Sequence, residues 1–124
     1  MRVLLVDDSP RFTLAATRFL SLLPDFQIIG EARTGREALD QVDRLHPDLV
    51  LMDVGMPEMD GLEATRRIKC RAEPPQIILL TLHDSAEYRA QAQRAGADGF
   101  VSKQEFGTAL LALVEDLRTT GDPQ

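Results

Sequence analysis

The 124 residues predict an α/β domain with a doubly wound, five-stranded parallel sheet in (βα)5 connectivity, and three observations carry that expectation. Short apolar runs alternate with stretches of helical period along the chain, the pattern of repeated strand–helix units. Three of the runs, VLLV at Val3–Val6, LVLM at Leu49–Met52 and IILL at Ile77–Leu80, are continuously apolar, as strands covered by helices on both faces must be. Helix-opening polar residues recur after the runs, often three positions ahead of a Glu, where cap and carboxylate satisfy each other's free N–H groups.

Each element follows in order. The first strand, Val3–Val6, runs into Asp7-Asp8, and the first helix opens with Ser9 as cap and Pro10 at the first helical position, where a missing N–H is harmless. Phe12, Ala15, Ala16, Phe19 and Leu20 form its apolar face. The second strand, Phe26–Ala32, is broken by Gly30 and polar residues, which suits an edge; Thr34-Gly35-Arg36-Glu37 opens the next helix. The third strand ends in Asp53 and is followed by Asp60-Gly61-Leu62-Glu63, the fourth ends in Thr81 and is followed by Asp84-Ser85-Ala86-Glu87, with Asp84 as the expected cap. A weaker fifth strand, Asp98–Val101, again suits an edge. Ser102-Lys103-Gln104-Glu105 then opens a last helix with Phe106, Leu110, Leu113, Val114 and Leu117 on its apolar face. Residues 1–118 form one domain, and 119–124 read as a polar tail or the start of a linker.

Composition limits the function classes. Fourteen Lys plus Arg against 20 Asp plus Glu give a net charge of -6, which opposes non-specific binding to nucleic acid or anionic membrane. The single Cys70 has no intrachain partner, so a reducing compartment is expected. The apolar run at the N-terminus meets Asp7-Asp8 too soon for a signal peptide or a membrane span. The expected location is the cytoplasm.

A chain of this plan adopts the flavodoxin-like strand order 2-1-3-4-5 and binds ligands at the carboxyl ends of its strands, near the β1/β3 switch point. Asp7 and Asp8 end the first strand, Asp53 the third, Thr81 the fourth, and Ser102-Lys103 the fifth. Three carboxylates at one rim repel, since two unit charges ~4 Å apart cost about 4 kcal/mol at an effective dielectric near 20. A small hard dication offsets that, and Mg2+ characteristically takes one or two carboxylates, keeps waters and shares a phosphate. Lys103 adds a point charge for phosphate oxygens. Carboxylate nucleophile, metal, Lys and hydroxyl donor together are the equipment of phosphoryl transfer.

Taken singly, each residue has a plainer reading: Asp53 as a turn former, Asp7-Asp8 as a solvated helix entry, Thr81 as a strand residue, Lys103 as a surface charge and Phe100 as core. Their coincidence at the ends of four strands favours a site. His46, His83 and Cys70 lack the neighbours that ligation or nucleophilic catalysis would need.

At these residues the chain resembles a receiver domain of a two-component response regulator, over residues 2–118. Asp7-Asp8, Asp53 in LMDVGMPEMDG, Thr81 in LLTLHD and Lys103 in AGADGFVSK stand in family order. The resemblance implies that Asp53 is the phosphoacceptor, that Asp8, Asp53 and the Gly55 backbone carbonyl bind Mg2+ with Asp7 acting through a water, and that Thr81 and Lys103 hold the phosphoryl oxygens. Thr81 and Phe100 would form the switch. It further implies a sensor histidine kinase as donor and a phosphorylation-dependent homodimer or effector contact through helix 4, strand 5 and helix 5. No turnover of an external substrate and no membrane contact are expected. LLPDFQIIGEARTGREAL and AGADGFVSK are similar to receivers that precede a LuxR-type helix-turn-helix domain, so DNA would be met only through such an output domain.

Some positions depart from the common family pattern. Gln104 stands where many receivers carry Pro, Leu82 where a small residue is frequent, and Gly55 and His83 occupy positions that tune the lifetime of the phosphoryl group. An aspartyl-phosphate phosphatase would need a second acid at Gly55, and a flavodoxin-like cofactor binder would need a hydroxyl- and Gly-rich loop in place of Asp7-Asp8-Ser9-Pro10-Arg11. The remaining alternative is a phosphorylation-independent interaction module.

Overall fold

The computed structural model describes the backbone of residues 1–121 and the side chains of 1–113, 115 and 116. Its elements are β1 (Arg2–Val6), α1 (Pro10–Ser21), β2 (Gln27–Ala32), α2 (Gly35–Leu45), β3 (Leu49–Asp53), α3 (Gly61–Lys69), β4 (Gln76–Thr81), α4 (Ala86–Ala95), β5 (Gly99–Ser102), a 3-10 turn at Lys103–Glu105, and α5 (Phe106–Gly121). The sheet is parallel throughout in the order β2-β1-β3-β4-β5. The weak strands are the edges, as their composition requires.

Alternation along the strands splits the core in two. Leu4, Val6, Val50, Met52, Ile77 and Leu79 face α2, α3 and α4. Val3, Leu5, Leu49, Leu51, Ile78 and Leu80 face α1 and α5. Burying each Leu or Ile contributes roughly 1.5–3 kcal/mol, so the three central strands, buried along most of their length, hold their carboxyl ends in fixed register.

Ser9, Thr34 and Asp60 cap α1, α2 and α3 as expected, accepting from the N–H groups of Phe12, Glu37 and Glu63. The Glu arms do not all reach back to the cap residue. Glu37 accepts from Arg33 N at 3.2 Å, and Glu63 instead pairs with Arg66 and Arg67.

Four expectations are corrected. The cap of α4 is Ser85, which accepts from Tyr88 N at 3.1 Å, while Asp84 takes two bonds of 2.7 Å from the Arg89 guanidinium. A bidentate charge-assisted pair is stronger than a neutral cap, and the adjacent hydroxyl is free to cap in its place. Ser102 caps the 3-10 turn, accepting from Gln104 N at 3.3 Å, so α5 begins only at Phe106. Ala15 is exposed rather than on the buried face of α1, which is carried by Ala16 and Leu20 with Phe12 and Phe19 packed beside them. The last helix continues past Arg118 to Gly121. The side chains of Val114 and Leu117, and residues 122–124, lie outside the described residues. Among the described residues no helix is long and apolar enough to cross a membrane.

Candidate functional site

Register brings the acids together. Val6 of β1 lies opposite Met52 of β3, so Asp7, just past β1, and Asp53, the last residue of β3, come side by side at the rim. Carboxylate oxygens of Asp7, Asp8 and Asp53 all lie within 4.8 Å of one another. Asp7 and Asp53 are buried, at 2% and 7% exposure, whereas Asp8 is exposed. The cluster therefore has a closed floor and an open lip.

Lys103 enters from β5 and faces that floor. Its Nζ lies 2.6 Å from Asp7 Oδ2 and 3.3 Å from Asp53 Oδ1. The shorter approach is an ion pair without hydrogen-bond alignment, and Asp7 Oδ2 remains a buried oxygen that accepts no aligned bond. Asp7 Oδ1 accepts from Ser9 N at 2.8 Å, which ties the acid to the start of α1. Asp53 Oδ1 also accepts from Gly55 N at 3.3 Å. Burial raises the Asp53 carboxyl above its ordinary value, the neighbouring Asp7 charge raises it further, and Lys103 together with the Gly55 N–H opposes both. Hard carboxylate oxygens gathered this closely suit a small divalent cation, so the cluster could bind a metal ion.

Thr81 stands at the same rim as the last residue of β4, buried at 5% exposure. Its hydroxyl is turned onto its own loop, accepting from His83 N at 3.0 Å and donating to His83 O at 3.2 Å. Phe100 lies on β5 opposite Leu79, half-buried against the α2–α4 side of the core. The Arg89 guanidinium sits over its ring, 5.2 Å from the centroid. Gly55 is exposed, and a Cβ there would meet nothing within 4 Å. No described peptide bond is cis, so the Lys103–Gln104 bond is trans.

Thus Asp7, Asp8, Asp53 and Lys103 form one cluster, with Gly55 joined to it through its N–H. Thr81 borders it with its hydroxyl engaged elsewhere, and Phe100 lies outside it. Three contributors escaped the sequence reading. Gly61 backs onto β3 so closely that a Cβ would collide with the carbonyl of Asp53; its signal was the Gly at the first helical position, where other residues serve equally well. Phe12 places its ring 4.7 Å from Lys103 Nζ, and Asp84 orients the Arg89 that covers Phe100. The contacts of Lys103 with Phe12 and of Arg89 with Phe100 join separate elements and have no local signature.

Residues 3–115 match the response regulator receiver domain. The chain is 30% identical over 115 residues to the transcriptional regulatory protein DegU of Brevibacillus brevis, covering 93% of this chain and 49% of that protein. It is 42% identical over 106 residues to protein-glutamate methylesterase/protein-glutamine glutaminase 1 of Methanosarcina acetivorans, covering 85% of this chain and 30% of that one. The chain thus spans half or less of the length of these relatives. Among solved structures, a LuxR-family two-component response regulator from Aurantimonas sp. SI85-9A1 superposes with a TM-score of 0.89 at 30% identity, covering 96% of this chain and 85% of that one.

Proposed function

This chain belongs to the response regulator receiver domain family, whose role is phosphorylation-controlled signalling, and from that premise we propose that Asp53 is its phosphoacceptor. One observation carries the reading: a buried acid at a strand end faces both a second buried acid and the ammonium of Lys103. A structural salt bridge needs one carboxylate, and the second adds only repulsion unless the site also takes up a cation, which clustered carboxylates share with a phosphate.

In this reading a sensor histidine kinase presents a phosphohistidine, and an Asp53 carboxylate oxygen attacks phosphorus. The P–N bond breaks as the P–O bond forms, and the imidazole leaves with the electron pair. Asp8, Asp53 and the Gly55 carbonyl would hold Mg2+, with Asp7 acting through a water. Bound there, Mg2+ supplies charge neutralisation for the phosphoryl oxygens. Lys103 exchanges its carboxylate contacts for phosphoryl oxygens, and Thr81 gives up its bonds to His83 to donate to another. That movement leaves room into which Phe100 turns from the β5 surface. Moving such a switch from 1:99 to 99:1 needs about 5.5 kcal/mol of differential stabilisation, within reach of several charge-assisted hydrogen bonds plus burial of one ring.

The altered face would be α4, β5 and α5, the site of a phosphorylation-dependent homodimer or effector contact. The relatives named for transcriptional regulation and the LuxR-family neighbour support a transcriptional output, with DNA met by an output domain beyond these 124 residues. The methylesterase relative carries a receiver as well, but the cluster described here serves the chain's own phosphorylation and dephosphorylation rather than turnover of an external substrate. A cytoplasmic location fits the reducing conditions that an unpaired, exposed Cys70 tolerates.

The test is intact-mass analysis after incubation with Mg2+ and acetyl phosphate. One phosphoryl increment is expected on the native chain and none on Asp53→Asn. Equal labelling of both would defeat the assignment, and labelling of neither would favour a phosphorylation-independent interaction module.

A further inference from the structure

We infer that Phe12 is a positioning residue for Lys103, its ring forming the seat that keeps the ammonium facing Asp7 and Asp53. The inference rests on the reading of Asp53 as phosphoacceptor and extends it to a residue outside the polar cluster.

The Lys103 side chain is 8% exposed, and its ammonium must be solvated by what surrounds it. On one side stand the two carboxylates, the nearer in an unaligned approach. The Phe12 ring lies 4.7 Å from Nζ, at the distance where the negative face of an aromatic attracts a cation. A Leu or Val there would leave that side of the ammonium against an apolar wall, an unfavourable burial of charge.

The ring is itself immobilised. Phe106 meets Phe12 edge-on at 5.2 Å and 79°, and Phe19 meets Phe106 at 5.8 Å and 69°. Phe106 opens α5 directly after the turn that Lys103 begins. One short segment therefore carries both the cation and the residue that braces its seat, while α1 supplies the ring. Attraction to a ring face is less directional than a hydrogen bond, so the ammonium can shift from carboxylate to phosphoryl oxygens without losing this contact.

The experiment compares native chain, Phe12→Leu and Phe12→Tyr. The first measurement is the rate of Asp53 labelling by acetyl phosphate at saturating Mg2+. The second is the NMR shift of the Lys103 side-chain methylene next to nitrogen, which a ring face moves upfield. Phe12→Leu should be labelled roughly five- to tenfold more slowly, the scale of a desolvated cation–aromatic contact. It should lose the upfield shift, and Phe12→Tyr should retain both rate and shift. Melting temperatures distinguish positioning from packing. Equal slowing of both variants in proportion to lost stability, a native rate in Phe12→Leu, or an unchanged Lys103 shift in Phe12→Leu would each overturn the proposal. A native chain that takes no phosphoryl group overturns the functional reading instead, and the Lys103 shift then still decides whether the seat exists.

Discussion

The rim has two walls, and they are built differently. On the β1, α1 and α5 side, the side chains of Asp7 and Lys103 are enclosed, Phe12, Phe19 and Phe106 interlock behind them, and Ser9 ties Asp7 to the helix start. On the β4 and α4 side, Thr81 is followed by a run of exposed residues from Leu82 to Arg89, and α4 buries only Ala92 and Ala95. A cation lies on a Phe ring in each wall, but the Lys103 side chain is enclosed while Arg89 is exposed and paired with exposed Asp84. The packed wall can hold its charged groups in place. The open wall, satisfied by its own loop, can rearrange at little cost. Cutting the first should therefore change stability, and cutting the second should change conformation alone.

The largest effect is expected from Lys103→Met, which keeps an apolar chain against Phe12 but strips Asp7 and Asp53 of their cation. Breaking a buried ion pair from one side costs about 3 kcal/mol or more. The urea midpoint at neutral pH should fall accordingly, and adding Asp53→Asn should recover part of the loss by removing one orphaned charge. An unchanged midpoint with an unchanged slope would mean that this wall does not depend on its ion pair.

A smaller effect of opposite sign is expected from Asp53→Asn. The folded chain raises the Asp53 carboxyl above 3.8, mainly through burial and then through Asp7. Folding therefore takes up a proton between that value and the raised one. The associated stability is full below 3.8 and lost as pH rises through the folded value. At neutral pH without divalent cation the native chain bears that cost, so Asp53→Asn should be more stable by on the order of 1 kcal/mol, an ordinary single-site effect. The difference should shrink on acidification. Mg2+ should raise the melting temperature of the native chain more than that of the Asn variant, since a ligand bound only by the folded state stabilises it. A gap that widens toward acid would contradict a folded-state Asp53 carboxyl raised by burial and by Asp7.

The strand ends of both walls are legible in the sequence. Continuous apolar strands fix where the chain leaves the sheet, so Asp7, Asp8, Asp53, Thr81 and Lys103 could be assigned to one rim from their positions. What lay beyond reach were choices between near-equal local options and contacts between distant segments. Asp84 and Ser85 each offered a capping oxygen, and only the partner Arg89 decides between them. A helix phase read from apolar spacing cannot separate Ala15 from Ala16 when both are small. Nothing near Phe12 announces a cation, and nothing near Gly61 announces the carbonyl of Asp53. The direction of the Thr81 hydroxyl, toward His83 rather than toward the acids, is likewise a matter of loop geometry.

The smallest effect on stability, and the sharpest test of the open wall, is expected from Asp84→Asn. Arg89 depresses the Asp84 carboxyl below its usual value, chiefly by side-chain hydrogen bonding, so the pair is intact above 3.8 and dissolves only as pH falls through the lowered value. Both partners are exposed, so water screens their attraction and the melting temperature at neutral pH should not move measurably. The position of the Arg89 guanidinium should move, because two bonds from one carboxylate set its plane and an amide can accept only one of them. Released, Arg89 no longer covers Phe100, and the ring gains freedom to turn. NMR of the Arg89 side-chain Nε–H and of the Phe100 ring should show both residues shifted or broadened in Asp84→Asn, while the Lys103 methylene signals stay in place. Beryllofluoride, a phosphoryl mimic, should then shift the Phe100 ring at lower occupancy of the pocket than in the native chain, because less has to be undone. If Phe100 is indifferent to Asp84→Asn, the Arg89 contact only decorates the ring, and the Thr81–His83 turn alone sets the conformation of the open wall.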